Sequence, residues 1–244
     1  MAGNWKMFKS PAETTTFFEK FLPLVAASHH AEVVICAPFI DLAAAIGATQ
    51  GSAVAIGGQN LHWAKEGAFT GEISGPMLKA IGCQYVIVGH SERRQFFGET
   101  DETVLKRTVA ALEVGLTPIV CVGEMLAERE ANRTNEVLKT QFDGGIGGLT
   151  PDQFSRMVIA YEPVWAIGTG KVATPEMAAD AHRALRGSCE ARFGREASQA
   201  VRILYGGSVK PDNVQGLMAQ PEIDGGLVGG ASLEAGSFAG VVNF

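Results

Sequence analysis

The stretch 157-MVIAYEP-163 indicates the fold of this chain. Residues 157–161 are apolar, without the alternation that a strand with one solvent-facing side shows. Such a run is typical of a strand buried on both faces, as in a parallel sheet covered by helices. The run ends at Glu162, which stands directly before Pro163. We interpret this stretch as a core strand that carries a functional acid at its C-terminal end.

Similar apolar runs recur along the chain, and helical patterns lie between them. The other runs are 32-EVVICAP-38, 53-AVAIGGQ-59, 85-YVIVGH-90, 117-TPIVCVG-123, 201-VRILYGG-207 and 223-IDGGLVGG-230. The helical patterns include 11-PAETTTFFEKFLPLVAAS-28, 101-DETVLKRTVAALEVG-115, 124-EMLAEREANRTNEVLKTQF-142 and 174-TPEMAADAHRALRGSCEARFG-194. Ser10-Pro11 and Thr174-Pro175 each place a capping residue before a proline, which predicts two helix starts.

A short first strand at about residues 2–6 completes eight strand–helix units, the number that closes a barrel. We therefore predict an α/β fold, a closed eight-stranded parallel (β/α)8 TIM barrel that forms a single domain over residues 1–244. A doubly wound open sheet is the alternative. It usually carries a glycine fingerprint after its first strand, and none follows residue 6.

Composition excludes several classes of partner. The formal net charge is −6, and no run of five basic residues occurs, so neither nucleic acid nor an anionic membrane is expected to bind. The most apolar helical pattern is too short and too charged to span a bilayer, and we expect a cytoplasmic protein. The four cysteines are far apart and the histidines lack partners at ligand spacing, so no disulfide and no metal site are predicted.

Polar and glycine residues stand where the predicted strands end, and in a barrel these ends share one face. The residues at the strand ends are Asn4, Lys6, Gln59, Asn60, His90, Ser91, Glu124, Glu162, Ser208, Gly229 and Gly230. Three glycine turns, at 168–170, 206–208 and 229–230, follow three adjacent strands. Because glycine lets backbone N–H groups approach an anion closely, these turns together predict a phosphate site.

A carboxylate, an imidazole and an ammonium beside a phosphate site are suited to removing a proton next to a carbonyl group. Glu162 is the predicted base, and His90 and Lys6 are predicted to stabilise the enediolate. His90 precedes a probable helix start, where the helix dipole disfavours imidazolium, so a neutral imidazole is expected. Residues 163–171 would then form a hinged lid that excludes water.

The segments AGNWKM, GAFTGEIS, VIVGHSERR, PIVCVGE, AYEPVWAIGTGK, YGGSV and LVGGASL closely resemble the triosephosphate isomerase family, in its order and spacing. The resemblance implies interconversion of dihydroxyacetone phosphate and D-glyceraldehyde 3-phosphate through an enediolate, without a cofactor, in glycolysis and gluconeogenesis. This family is itself the known example of a glutamate base beside a neutral histidine, so that pairing is implied by the resemblance. Its catalytic residues would be Glu162, His90, Lys6, Asn4 and Glu92. Its phosphate-binding and substrate-binding residues would be Asn4, Lys6, Gly168, Ser208, Gly229 and Gly230.

The loop 59-QNLHWAKEGAFTGEISG-75 is longer than ordinary connections and carries Trp63 and Phe69. A monomer would expose this apolar surface, which predicts a homodimer formed through residues 59–75. In the family the resembling segment inserts into the partner subunit near the first and fourth strand ends. A self-packed surface loop is the alternative.

Two other functions are compatible with parts of the pattern. An aldolase-like barrel would form a Schiff base on Lys6. A catalytically silent phosphate-binding protein would need the glycine turns but not Glu162, His90 and Lys6 together.

Overall fold

Eight parallel strands close into a barrel in this computed structural model, which describes residues 1–169 and 171–244. The strand order around the barrel follows the chain order, and β1 pairs with both β2 and β8. The strands are Ala2–Asn4 (β1), Val34–Cys36 (β2), Ala55–Gly58 (β3), Tyr85–Val88 (β4), Thr117–Val122 (β5), Val158–Tyr161 (β6), Arg202–Tyr205 (β7) and Gly225–Val228 (β8). The predicted barrel is confirmed.

The first strand is shorter than the predicted residues 2–6, yet it closes the barrel. Ala2 is in register with Val34 on one side and with Leu227 on the other. The strand ends at Asn4 because Lys6 takes a left-handed backbone conformation, with φ of 52°, which is incompatible with an extended strand.

Helices cover the outside of the barrel. They are Pro11–Val25 (α1), Leu42–Ala48 (α2), Gly75–Ile81 (α3), Ser91–Phe96 (α4), Asp101–Glu113 (α5), Leu126–Glu130 (α6), Thr134–Gly145 (α7), Pro151–Phe154 (α8), Pro175–Phe193 (α9), Arg195–Ala200 (α10), Val214–Met218 (α11) and Ala235–Val242 (α12). Short 3-10 helices lie at Phe39–Asp41, Val164–Ala166 and Gly230–Leu233.

Both predicted helix starts are present. The Ser10 side chain accepts a hydrogen bond from the Glu13 N–H, and the Glu13 side chain accepts one from the Ser10 N–H, which forms a capping box. Thr174 caps α9 by accepting from the N–H of Met177. A cap of this kind stabilises a helix by about 1 kcal/mol, so these sequences fix where α1 and α9 begin.

The predicted helix over residues 124–142 was wrong as a single element. It is divided into α6 and α7 by residues 131–133. Asn132 has a φ of 56°, and asparagine tolerates this left-handed conformation better than most residues. The chain therefore turns at Asn132, and α7 begins with a separate N-terminus.

Two apolar clusters explain why the barrel is stable. Small and branched side chains of alternating strand positions fill its interior, including Val34, Ile87, Ile119 and Val158. A larger cluster lies between the sheet and the helices. In the described parts of the chain, no helix combines the length and the apolar character needed to cross a membrane.

Candidate active site

A cavity of about 800 Å³ opens at the C-terminal ends of the strands. This is the face where barrels of this kind hold their ligands. Among its lining residues are Asn4, Lys6, His90, Glu162, Gly168, Ser208, Gly229 and Gly230. Glu92 lines a smaller neighbouring cavity together with Asn4, Lys6 and His90. The structure thus brings the predicted site residues to one place, from strands that are far apart in the sequence.

The Glu162 carboxylate is buried and fully engaged. Its Oε1 lies 2.9 Å from Nε2 of His90 and accepts a hydrogen bond from Oγ of Ser91 at 3.1 Å. Its Oε2 accepts from the Ser91 N–H at 3.0 Å. Both carboxylate oxygens are therefore directed toward the start of α4.

Glycines on the two neighbouring strand ends leave room for Glu162. A Cβ added at Gly123 would lie 1.7 Å from the Glu162 carbonyl oxygen, and one added at Gly206 would lie 2.9 Å from its Cγ. The first contact would require the backbone to move, and the second would displace the Glu162 side chain. These two glycines therefore fix the path of the chain that carries Glu162.

His90 caps α4 through its own ring. Its Nδ1 accepts a hydrogen bond from the N–H of Glu92 at 3.2 Å, an interaction that requires Nδ1 to be unprotonated. The remaining ring proton then belongs on Nε2, which faces Glu162. This geometry supports the expected neutral imidazole, although the protonation state itself stays a prediction.

The pKa values of Glu162 and His90 shift in opposite directions because the two groups face each other. Burial raises the pKa of the Glu162 carboxyl, but the charge of His90 and the hydrogen bonds from His90 and Ser91 outweigh it, and the pKa is lowered. Burial lowers the pKa of His90, whereas the carboxylates of Glu162 and Glu92 raise it, and the net shift is upward. The upward shift of His90 depends mainly on Glu162 and will diminish when that carboxylate moves away.

Asn4, Lys6 and Glu92 form a connected group beside His90. The Asn4 side-chain oxygen accepts from the backbone N–H of Lys6 at 3.0 Å, which holds the left-handed turn at Lys6. Nζ of Lys6 then donates to Oε1 of Glu92 at 2.5 Å. The Lys6 backbone is therefore held by Asn4, and the Lys6 ammonium is held by Glu92 on α4.

The glycine turns after β7 and β8 are held by side chains outside the cavity. The Ser208 carbonyl accepts from Nδ2 of Asn213 at 3.0 Å, and the Gly229 carbonyl accepts from Oγ of Ser232 at 2.7 Å. Gly168 has a φ of 69°, which favours glycine. Gly170, the other glycine of the first predicted turn, lies outside the described residues.

The predicted lid begins with a buried contact that its sequence did not reveal. Nε1 of Trp165 donates to Oε1 of Glu124 at 2.9 Å, and the hydroxyl of Tyr161 donates to the same oxygen at 3.1 Å. Burial raises the pKa of Glu124. Glu124 and Ser91 stood among the strand-end residues in the sequence, and that position was the only signal of their roles.

The comparisons with known proteins agree with this geometry. The sequence profile described as triosephosphate isomerase matches residues 1–244. A triosephosphate isomerase of Solibacter usitatus (strain Ellin6076) is 69% identical over 244 residues, which cover 100% of this chain and 98% of that protein. The chain belongs to the triosephosphate isomerase family. A triosephosphate isomerase of Geotalea uraniireducens (strain Rf4) is 51% identical, over 100% of this chain and 97% of that protein.

A solved triosephosphate isomerase shares the whole architecture. The crystal structure of triosephosphate isomerase from Bartonella henselae at 1.6 Å resolution superposes with a TM-score of 0.90 at 38% identity. The match covers 100% of this chain and 97% of that chain. The barrel is therefore the fold of the triosephosphate isomerase family. In the described residues, no group of three or more His, Cys, Asp or Glu is placed to hold a metal ion.

Proposed function

We infer that Glu162 is the catalytic base of this isomerase, which interconverts dihydroxyacetone phosphate and D-glyceraldehyde 3-phosphate through an enediolate. The observation that carries this assignment is the position of Glu162 and His90, 2.9 Å apart, on the wall of one cavity with Lys6. A base that removes the proton from carbon needs electrophilic groups beside it, because an ordinary carboxylate is too weak for this step alone.

The glycine turns would anchor the phosphate group of the substrate. Gly168, Ser208, Gly229 and Gly230 line the cavity on the side of β6 to β8. Gly230 starts a 3-10 helix, and backbone N–H groups at such a start are directed toward an anion. Anchored there, the three-carbon chain would reach from these turns toward His90 and Lys6.

His90 and Lys6 would stabilise the charge that develops on the substrate oxygens. Nε2 of His90 would be the donor of a neutral ring, and Nζ of Lys6 would supply a positive charge. Donors placed in this way typically contribute roughly 3 to 4 kcal/mol each to the transition state. Asn4 would orient the substrate, since it lines the cavity beside Lys6, and Glu92 would hold the Lys6 ammonium in position.

Glu162 must leave Ser91 to act on the substrate. In the arrangement described above, the charge of His90 and the hydrogen bonds from His90 and Ser91 lower its pKa against the effect of burial. When substrate takes over the His90 donor and the carboxylate turns away from Ser91, burial becomes the dominant effect and raises the pKa. The base therefore becomes stronger only when it faces the substrate.

The segment 163–171 would close over the occupied cavity. Its Ile167 and Gly168 line the cavity, and its start is fixed by the bond from Trp165 to Glu124. Closure would exclude water and restrain loss of phosphate from the enediolate.

The roles can be tested by comparing wild type with Glu162→Gln. We expect kcat to fall by about 10²-fold to 10⁴-fold, the range typical of a positioned acid or base. The affinity for a phosphate-bearing substrate analogue should stay within a few-fold, because the phosphate turns are untouched. A variant with wild-type kcat would contradict the assignment of the base.

A Schiff base on Lys6, as in an aldolase, is less consistent with the contacts. The Lys6 ammonium donates to Glu92, and an amine nucleophile needs its lone pair free. Borohydride treatment in the presence of substrate separates the two reactions. A covalent adduct on Lys6 would favour the aldolase, and its absence during turnover would favour the isomerase.

The exposed apolar residues support a homodimer formed through residues 59–75. The rings of Phe69 and Trp63 of this segment both pack against His62, with ring centroids 4.2 and 4.3 Å from its own, and the two residues are 46% and 38% exposed. Met7, which follows β1, is 94% exposed, and Phe96, the last residue of the helix that follows β4, is 72% exposed. The partner's segment is expected near the ends of these two strands. Sedimentation of the protein at micromolar concentration tests this. A fully active monomer would show that the segment packs only on its own subunit.

The pairing of the first and last strands supports a single domain, and the free cysteines support a cytoplasmic location. β1 pairs with β8, so residues near both ends of the barrel-forming chain belong to one sheet. Cys36, Cys83, Cys121 and Cys189 are buried free thiols, which suits a reducing compartment. We expect a single cooperative unfolding transition. We also expect the protein to be recovered in the cytoplasmic fraction of the cell. Two separate transitions would contradict the single unit.

A further inference from the structure

A second cavity, which shares no lining residue with the cavity at the phosphate turns, lies where the start of α7 meets α9. Its volume is about 550 Å³. Its charged lining residues are Arg129, Arg183 and Asp180, and its polar ones are Asn132, Thr134 and Asn135. Arg183 is partly neutralised, since it pairs with Asp180 at 2.7 Å and lies 3.6 Å from Glu222. Cationic and amide groups still outnumber the acids on this wall.

The start of α7 adds to the positive character of this cavity. Among the described residues, no side chain caps the N-terminus of α7. The first N–H groups of a helix have no partner within the helix, and the helix dipole makes this end attractive to anions. The cavity residues Thr134 and Asn135 belong to this first turn.

Arg129 connects this cavity to the base of the lid. Its guanidinium lies 3.5 Å from Oγ1 of Thr134 on the cavity wall. It also lies 3.8 Å from Oε1 of Glu124 and 5.7 Å from the ring centre of Trp165. The other oxygen of Glu124 is buried without a hydrogen-bond partner in the described part of the chain, so Arg129 is an important source of compensating charge.

We propose that this cavity is an anion-binding effector site, suited to a phosphate ester or another small dianion, and that its occupant acts on the lid through Arg129. A dianion held by Arg129, Arg183 and the first turn of α7 competes with Glu124 for the Arg129 guanidinium. Glu124 and Trp165 then lose part of the contact that fixes the start of segment 163–171. The binding step is independent of the proposed function, whereas the coupling step rests on the proposed lid.

The binding step is tested with sulfate, followed by the backbone amide signals of Thr134 and Asn135 in an NMR titration of the complete chain. The signals of Ser208 and Gly230 report the phosphate turns in the same titration. We expect saturable shifts at the start of α7 in wild type. Arg183→Gln should weaken this binding by about tenfold, the effect of losing one charge-assisted hydrogen bond.

Arg195→Gln is the matched control, because Arg195 is exposed on α10 and does not line the cavity. It should bind sulfate like wild type. Shifts that remain non-saturable at Thr134 and Asn135 while Ser208 and Gly230 saturate would overturn the site. Equal weakening in both variants would also overturn it, because binding would then follow net charge alone.

The coupling step is tested on the indole N–H signal of Trp165 in the same titrations. In wild type this signal should move in two stages, one following Gly230 and one following Asn135. Arg183→Gln should lose only the second stage, and its kcat without sulfate should stay at the wild-type value. A Trp165 signal that follows Gly230 alone in wild type would overturn the coupling and leave the test of the isomerase itself unaffected.

Discussion

Ser91 holds the Glu162 carboxylate against the start of α4 by two hydrogen bonds. The Ser91 N–H donates to Oε2 at 3.0 Å, and the Ser91 hydroxyl donates to Oε1 at 3.1 Å. If Glu162 acts as the base, as proposed above, both bonds must break first, and the energy of this contact then opposes substrate binding.

Ser91→Ala should strengthen the binding of a substrate analogue by about fivefold to tenfold. The variant removes the hydroxyl bond, and a hydrogen bond to a charged group contributes roughly 1.5 to 3 kcal/mol, part of which is recovered by water. Titration calorimetry with the analogue measures the effect. Ser198→Ala is the control, since Ser198 is buried on α10 and its hydroxyl donates to the Arg186 carbonyl. Weaker analogue binding in Ser91→Ala alone would contradict the expected role of Ser91.

Trp165→Phe should change catalysis, whereas Tyr161→Phe should change mainly stability. Both variants remove a donor to the same oxygen of Glu124, and each should lower the free energy of unfolding by about 1 to 3 kcal/mol. Only Trp165 belongs to segment 163–171, so only its variant should alter kcat by severalfold. Denaturant unfolding and steady-state kinetics on both variants measure this. Equal kinetic effects would show that the lid does not depend on this contact.

Lys6→Gln should raise KM and lower kcat, with a combined loss of about 10²-fold to 10³-fold in kcat/KM. The reason is the loss of a positive charge that attracts the substrate and stabilises the enediolate. Lys20→Gln, which removes an exposed charge on α1, controls for net charge. Measuring kcat/KM at increasing salt concentration separates the two effects, because salt screens the attraction of the substrate more than it screens the stabilisation of the enediolate inside the site. If Lys6→Gln has the same kinetics as Lys20→Gln, the proposed role of Lys6 in the active site is wrong.

His182 should make the protein less stable in mild acid. Burial lowers its pKa from 6.5 to about 4, so the folded state keeps this ring neutral. Between these two values the unfolded chain binds more protons, and the free energy of unfolding therefore falls as the pH drops from about 6.5 to 4. The contribution of this group is present above pH 6.5 and amounts to about 3 kcal/mol at most.

The measurement is urea unfolding of wild type and His182→Gln at neutral pH and near pH 4.5. The variant should be less stable at neutral pH and should lose less stability on acidification. His29→Gln serves as the control, because His29 is exposed. A pH dependence that is identical in all three proteins would show that His182 does not titrate as expected.

The sequence predicted the barrel because its strands are strongly patterned. Continuous apolar runs such as residues 157–161 have few alternatives in a soluble fold, and the strand ends then had to meet at one face. The positions of Lys6, His90 and Glu162 around one cavity follow from that topology.

Other features depended on tertiary contacts or on single residues. The two hydrogen bonds from Ser91 to Glu162 set a side-chain orientation, which no periodic pattern contains. The break at Asn132 interrupts a segment whose helix propensity is favourable on both sides, so only the left-handed preference of asparagine signalled it. The Trp165 to Glu124 bond joins residues from two different strand ends.

In the proposed reaction, Glu162 removes a proton from the substrate carbon. The direct measurement is deuterium incorporation from heavy water into the carbon-bound position of the triose phosphate during turnover, for wild type and for Glu162→Gln, with analogue binding measured alongside. We predict that the variant loses at least about a hundredfold in incorporation rate while it keeps its affinity for the analogue. Incorporation at the wild-type rate by Glu162→Gln would contradict the account.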